Sequence, residues 1–437
     1  MDADYVIVGA GSAGCVLAER LSAGGRHRVL LLEAGGDDRS FWIHTPLGYG
    51  KLFYDQRFNW SFRTRPQPGL NGRQDYWPRG KVLGGSSAIN AMVYIRGHRQ
   101  DFDDWAAATG DAGWSHAAVL PIFKAIEDNA AGADAWRGAG GPLPIPALDR
   151  EAHPLAAALL DGCAEPGPAR NPDFNGVEQE GAGLYQLTAR AGRRASAAQA
   201  FLRPAMRRPN LAVVTGAQAT RLLFEGGRCV GVAYRRGEAN LEARAGREVI
   251  LAAGAVGSPQ LLQLSGIGPA ALLRRHGIAV QLDNANVGRH LQDHVGINYY
   301  YRTRRPTLND ELARWPRRLW SGARYLLTRR GPLALSVNQG GGFFRTDESQ
   351  PRPNMQLYLQ LLTTLQARSG SRPLLAPDPF PALALGLSNT RPKSRGSIEI
   401  AGADPLAAPA IQPNSYDAPD DLGEMLAAVR FLRRLAG

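Results

Sequence analysis

The first 33 residues constrain the fold more tightly than any other stretch of the chain. Asp4-Tyr5-Val6-Ile7-Val8 is a short apolar, β-branched run with the pattern of a buried strand. It enters Gly9-Ala10-Gly11-Ser12-Ala13-Gly14, a GxGxxG turn, and the helical stretch Cys15 to Leu21 follows. A second strand, Arg28 to Leu32, ends in Glu33, about 20 residues after the last glycine. Each part has a mechanical reason. Gly9 permits the tight turn, Gly11 lets the backbone approach a pyrophosphate, and Gly14 lets helix and strand pack closely. Phosphates then sit at the positive end of the helix dipole, while Glu33 accepts hydrogen bonds from ribose hydroxyls. Strand, turn, helix, strand and acid in register therefore predict a Rossmann-type α/β unit that binds a dinucleotide. The motif leaves NAD and FAD open. An enzyme using both would want a second such unit, and Gly266-Ile267-Gly268-Pro269-Ala270-Ala271 is not one, because it follows a helix and contains Pro269.

A chain of 437 residues has room for two or three domains. No apolar stretch approaches the roughly 18 residues of a membrane span, which leaves peripheral association with a membrane as the form open to it. The first motif starts too early for a signal peptide, so the expected compartment is the cytoplasm. A formal charge of +12 would ordinarily suggest a polyanion partner. Here arginine carries it, the lysines being Lys51, Lys81, Lys124 and Lys393, and the arginines are scattered. Pairs such as Arg193-Arg194, Arg207-Arg208 and Arg329-Arg330 read as solvated faces, so no nucleic acid is expected. Cys15, Cys163 and Cys229 are far apart, odd in number and lack CxxC spacing, so they give no sign of a disulfide framework or zinc site. Cys15 reads as a small packing residue, and no histidine or carboxylate cluster suggests a metal.

Two longer signatures add chemistry. In Arg79 to Gly97, Gly84-Gly85-Ser86-Ser87 is a turn with little side-chain bulk and several backbone donors, able to lie against a flat ligand or a phosphate. Asn90 follows as a polar group that both donates and accepts, ahead of the apolar Ala91-Met92-Val93. Further on, Glu248 to Ala253 reads as a strand and Gly254 as a turn. Ser258 is the expected N-cap of a short helix with Pro259 at its first position, stopped by Gly266.

The two signatures, RGKVLGGSSAINAMVYIRG and GAVGSPQLLQLSGIGP, together with Asp101 to Trp105, Asn171 to Gly176 and Leu291 to His294, resemble the glucose–methanol–choline (GMC) oxidoreductase family. The similarity is strongest to its bacterial choline-dehydrogenase-like and alcohol-dehydrogenase-like branch. It implies a doubly wound FAD-binding domain over residues 1–300, with an excursion near 147–200 toward the substrate side. Residues 301–437 would then be an α+β substrate domain built on an antiparallel sheet. It implies FAD in the first motif, with Gly9, Gly11, Gly14, Glu33, Ala34, Gly84 and Gly254 around it, Val82 and Asn90 to Val93 along the flavin, and Ala219 near the adenine. One subgroup attaches FAD through a histidine at the position of Ile89, which has no nucleophilic atom, so the cofactor is expected to be non-covalent.

The implied activity is oxidation of an alcohol CH–OH group, with hydride passing to flavin N5 and electrons to an acceptor other than NAD. Such a reaction needs a base, which contributes roughly 10²–10⁴-fold. The family places its histidine base beyond Gly437, so the chain is expected to be C-terminally incomplete and the catalytic residue is left unassigned. An alternative is a flavin-binding remnant without alcohol turnover. His290 and His294 read as structural, and His153 as the start of a helix. Other expectations are a Glu165 to Asp173 loop, strands at Leu211 to Val214, Arg228 to Tyr234 and Asn354 to Gln360, a Gly340-Gly341-Gly342 break, and an Arg372 to Pro381 connector. A final amphipathic helix runs from Asp420 to Ala436, with Leu422, Met425, Leu426, Val429 and Leu432 on its apolar face.

Overall fold

A computed structural model describes residues 2–148, 151–164, 169–364 and 376–436. In chain order its main strands are β1 (Asp2–Val8), β2 (Val29–Glu33), β3 (Gly181–Leu184), β4 (Leu211–Thr215), β5 (Ala217–Glu225) and β6 (Arg228–Arg236). Then come β7 (Ala239–Leu251), β8 (Gly296–Arg302), β9 (Asn338–Phe344), β10 (Met355–Gln360) and β11 (Ala382–Asn389). Four helices matter below: α1 (Ser12–Ser22), α2 (Gly254–Leu264), α3 (Trp315–Thr328) and α4 (Pro419–Ala436).

The strands form two principal sheets. The first has the order β4-β2-β1-β7-β6-β5. Its first four strands run parallel, and β7, β6 and β5 continue as an antiparallel meander. Parallel strands covered on both faces read as unbroken apolar runs, which is why β2 is Val-Leu-Leu-Leu before its acid. Alternate residues serve opposite faces. Ile7, Val29 and Leu31 pack with Cys15 and Ala18 of α1, whereas Val6, Val8, Leu30 and Leu32 pack with Leu261 of α2. The Cys15 thiol donates to Ala10 O at 3.2 Å, and burial pushes its pKa up to about 12, so it is an inert packing group.

The second sheet has the order β8-β11-β10-β9-β3 and is antiparallel throughout. Met355, Leu357 and Leu359 share its core with Met425, Ala428 and Leu432 of α4. After this sheet the chain returns to the first. Ile398 and Ile411 pack with Val256 of α2 and with Phe62.

Four expectations change. The Gly340-Gly341-Gly342 stretch is no break but the middle of β9, because the neighbouring strands leave no room for side chains. A Cβ on Gly341 would lie 1.9 Å from Leu357 O and 2.6 Å from Tyr185 Oη. Helix α2 starts at Gly254 rather than after Ser258, so Pro259 lies inside it. The chain turns into this helix directly from β7 through the left-handed Gly254 (φ +77°). Strand β7 begins at Ala239, well before Glu248, its first half carrying the polar alternation of a half-covered meander, and β5 was not expected at all. The buried stripe of α4 is Met425, Ala428 and Leu432, while Leu422 and Leu426 turn outward. Residues 165–168 of the expected loop and 372–375 of the expected connector lie outside the described residues.

Candidate cofactor site

The carboxyl ends of β1, β2 and β7 open onto a cavity of about 500 Å³. This is the place at which a doubly wound sheet presents loops and helix starts to a ligand. Gly9, Gly11, Ser12 and Ala13 line it from the β1–α1 turn, Glu33 and Ala34 from the end of β2, and Gln218 and Ala219 from β5. Ala252 to Ser258 contribute the start of α2, and Pro405 comes from the returning chain.

Two helices begin on this cavity. Gly11 caps α1 and Ala253 caps α2, and neither cap carries a side-chain hydrogen bond. Their first-turn N–H groups therefore remain as donors for an anion, reinforced by both helix dipoles. The glycines divide into two kinds. Gly9 (φ +100°) and Gly14 are forced by packing: a Cβ on Gly14 would lie 1.9 Å from Gly9 O. Gly11 is not. Its backbone is extended (φ −75°), and a Cβ there would meet only Ala252 O at 3.9 Å, so a side chain would project toward open cavity.

Glu33 is 5% exposed, and each of its oxygens accepts a backbone bond at 2.8 Å, from Ala10 N and from Gly35 N. The acid thus braces the glycine turn while lining the cavity, with lone pairs left over for a further donor. Burial pushes its carboxyl up to about 7, against the opposing pull of the two backbone amides and of Lys81.

The second signature supplies another wall. Gly80, Gly85 and Ser86 line the cavity. Gly84, in the left-handed region at φ +90°, lies behind them and donates its N–H to Ala10 O at 2.8 Å, which ties this loop to the β1–α1 turn. A Cβ on Gly85 would lie 2.7 Å from Gly11 Cα. Val82 is fully buried with Ile43, Leu52, Ala88 and Ile89 and does not reach the lining. Asn90, Ala91, Met92 and Val93 also lie off it, beside the segment that leaves β3. Met92 O accepts from Thr188 N at 3.0 Å, and Val93 bridges to Leu187.

Several lining residues escaped sequence reasoning. Trp60 and Phe62 stack at 5.8 Å and 4° and form an aromatic wall, with Lys81 Nζ 4.4 Å from the Trp60 ring centre. Arg79 is the cation on the lining and packs over Trp77. Arg79 stood inside the quoted signature, whereas Trp60 and Phe62 carried no motif. Arg194, read as part of a solvated pair, is instead 3% exposed. Its guanidinium donates to Ile43 O at 2.9 Å, Ser87 O at 3.1 Å and Asn90 Oδ1 at 2.7 Å, and burial holds its pKa down at about 9. It clamps the Asn90 loop from behind.

Among the described residues no histidine lies on the cavity lining. His290 is exposed with Nε2 3.1 Å from Asn286 Oδ1, and the exposed His294 lies beside Asp293. His153 accepts from Leu155 N and starts a helix, as expected. No group of three or more metal-ligating side chains occurs among the described residues. No helix among them is long and apolar enough to cross a membrane.

The GMC oxidoreductase family models match residues 3–296 and 392–437. An alcohol dehydrogenase (acceptor) of Pseudomonas putida is 41% identical over 437 residues, covering 99% of this chain and 78% of its own length. An oxygen-dependent choline dehydrogenase of Photobacterium profundum is 40% identical over 434 residues, covering 99% of this chain and 75% of that protein. Among solved structures, pyridoxine 4-oxidase from Mesorbium loti aligns with a TM-score of 0.88 and 34% identity, over 99% of this chain and 80% of that one. Similarity to enzymes along nearly the whole chain favours an oxidoreductase over a flavin-binding remnant.

Proposed function

The chain belongs to the GMC oxidoreductase family, whose cofactor is FAD, and from that premise we propose that it oxidises a small choline-like, aliphatic or aryl alcohol and passes the electrons to an acceptor other than NAD. The residues present fit FAD. Uncapped starts of α1 and α2 offer N–H donors to its diphosphate, Glu33 keeps lone pairs for ribose hydroxyls, and Ala219 borders the cavity where the adenine would lie. The convergence of two uncapped helix starts and one buried acid on a single cavity carries this reading.

Bound FAD supplies a hydride acceptor at N5. The chain's own residues would hold and shield it. Gly80, Gly85 and Ser86 close the cavity from one side, and the Trp60–Phe62 wall excludes water from another. Arg194 fixes the Asn90 to Val93 loop, which lies off the cavity lining and which we assign to the flavin edge on the family resemblance, with Val82 packed behind the loop and not against the cofactor. Ile89 is buried and offers no atom for a covalent link, so the cofactor is held non-covalently. We read residues 1–300 as the cofactor domain and 301–437 as the substrate domain, apart from the stretch around Ile398 to Ile411 that returns to the cofactor side, and place the protein in the cytoplasm.

Two measurements test the proposal. Acid precipitation of the purified protein should release all flavin to the supernatant, and colour left in the pellet would contradict non-covalent binding. Under anaerobic conditions choline, an aliphatic alcohol or an aryl alcohol should bleach the oxidised flavin band. Failure of all three, with the flavin still reducible by dithionite, would contradict alcohol oxidation.

A further inference from the structure

Helix α3 covers little of the protein and leaves most of its apolar surface outside. At 100° per residue, Leu326, Trp315, Leu319, Ala323, Leu327 and Trp320 fall in one arc of about 140°. All six are exposed, Trp320 at 70% and Leu327 at 85%. The helix is held from another side, where Ser321 and Tyr325 are buried and Tyr325 Oη donates to Gly192 O at 3.1 Å. The outward arc is therefore presented by an anchored helix and is not the slack face of a loose one. On that anchored side the Phe41 ring also packs against Tyr325, 6.2 Å between ring centres. Contiguous apolar surface of this kind marks an interaction site.

Charge decides which. From Arg314 to Arg330 the sequence has six arginines and no acid. Among the described residues Arg330 pairs with Glu151 at 3.6 Å, and none of the other five has a carboxylate partner within 4 Å. A second copy docked about a two-fold axis would set this arginine cluster against itself. A negatively charged surface takes both features at once, tryptophan and leucine entering its apolar margin while arginines reach the headgroups. We propose that α3 docks the protein on an anionic phospholipid surface, lying along it without crossing.

The test is co-sedimentation of the flavin-loaded protein with vesicles of phosphatidylcholine alone and of equal parts phosphatidylcholine and phosphatidylglycerol. Binding to the anionic vesicles, weakened by salt and much lower on phosphatidylcholine, is expected. Trp320→Ser with Leu327→Ser should lower the partition coefficient at least about tenfold. Arg317→Gln, Arg318→Gln and Arg324→Gln should each lower it roughly fivefold on anionic vesicles only. Flavin content and Tm should not move, because these side chains are exposed. Absence of vesicle binding by the unsubstituted protein, or equal binding by the Trp320/Leu327 variant, would overturn the proposal. So would light scattering that shows an oligomer which this variant dissolves, since the arc would then belong to a second copy.

Discussion

The β1–α1 turn and strand β9 are both built on clustered glycines, yet a side chain at Gly11 would meet almost nothing, whereas one at Gly341 would lie 1.9 Å from Leu357 O. In the strand, glycine is demanded by the protein's own packing. At Gly11 the protein makes no such demand, and the requirement must come from whatever fills the cavity. The difference separates residues that hold the fold from residues that hold a ligand, and substitutions can probe it.

Gly14→Ala should show the largest effect, because it sits in the cradle but is packed like the strand: its Cβ would lie 1.9 Å from Gly9 O. Separating helix from strand costs about 3 kcal/mol, and both Tm and flavin content after purification should fall. A stable, fully loaded variant would break the comparison. Gly341→Ala should cost about 1–3 kcal/mol in thermal unfolding, with FAD affinity of the folded fraction changed less than about twofold. An equal loss of affinity would show the two regions to be coupled.

Glu33→Gln sharpens the comparison from the other side. One of its two backbone N–H groups loses its acceptor, and the other bond and any bond to the cofactor lose the charge, a change of roughly 1.5–3 kcal/mol in FAD affinity. Titration of apo-protein with FAD reads it directly. A smaller effect concerns pH. The folded carboxyl titrates near 7 against an ordinary value of 4.5, so the native state binds more protons between these values. Its contribution to apo-protein stability is full below about 4.5 and is lost as pH rises through about 7. Urea unfolding across that window should show stability declining, and Glu33→Gln should flatten that slope. An unchanged slope would mean that other groups carry the pH dependence.

The cradle was legible because its parts are local. β1, the glycine turn, α1, β2 and Glu33 lie within one short stretch, and each residue type answers a backbone or packing need that can be named in advance. The second sheet joins strands from residues 181 to 389, and the pairing of Gly341 with Tyr358 or of Leu357 with Leu387 leaves no local trace. Strand β5, at the sheet edge, alternates polar and apolar residues too weakly to announce itself. Arg194 shows the same limit for single residues. Beside Arg193 it reads as solvated, and only the backbone carbonyls of Ile43 and Ser87 gathered around it make a buried site for its charge.

Gly11→Ala tests the central claim most directly, through the FAD dissociation constant of the apo-protein and its Tm measured side by side. Alanine fits the φ of −75° and the free space, and by restricting the unfolded chain it should leave Tm unchanged or raise it slightly. The account predicts an FAD dissociation constant at least about tenfold weaker, because the added methyl occupies the approach of the diphosphate to the backbone. An unchanged dissociation constant at an unchanged Tm would contradict it and place the cofactor's phosphates elsewhere.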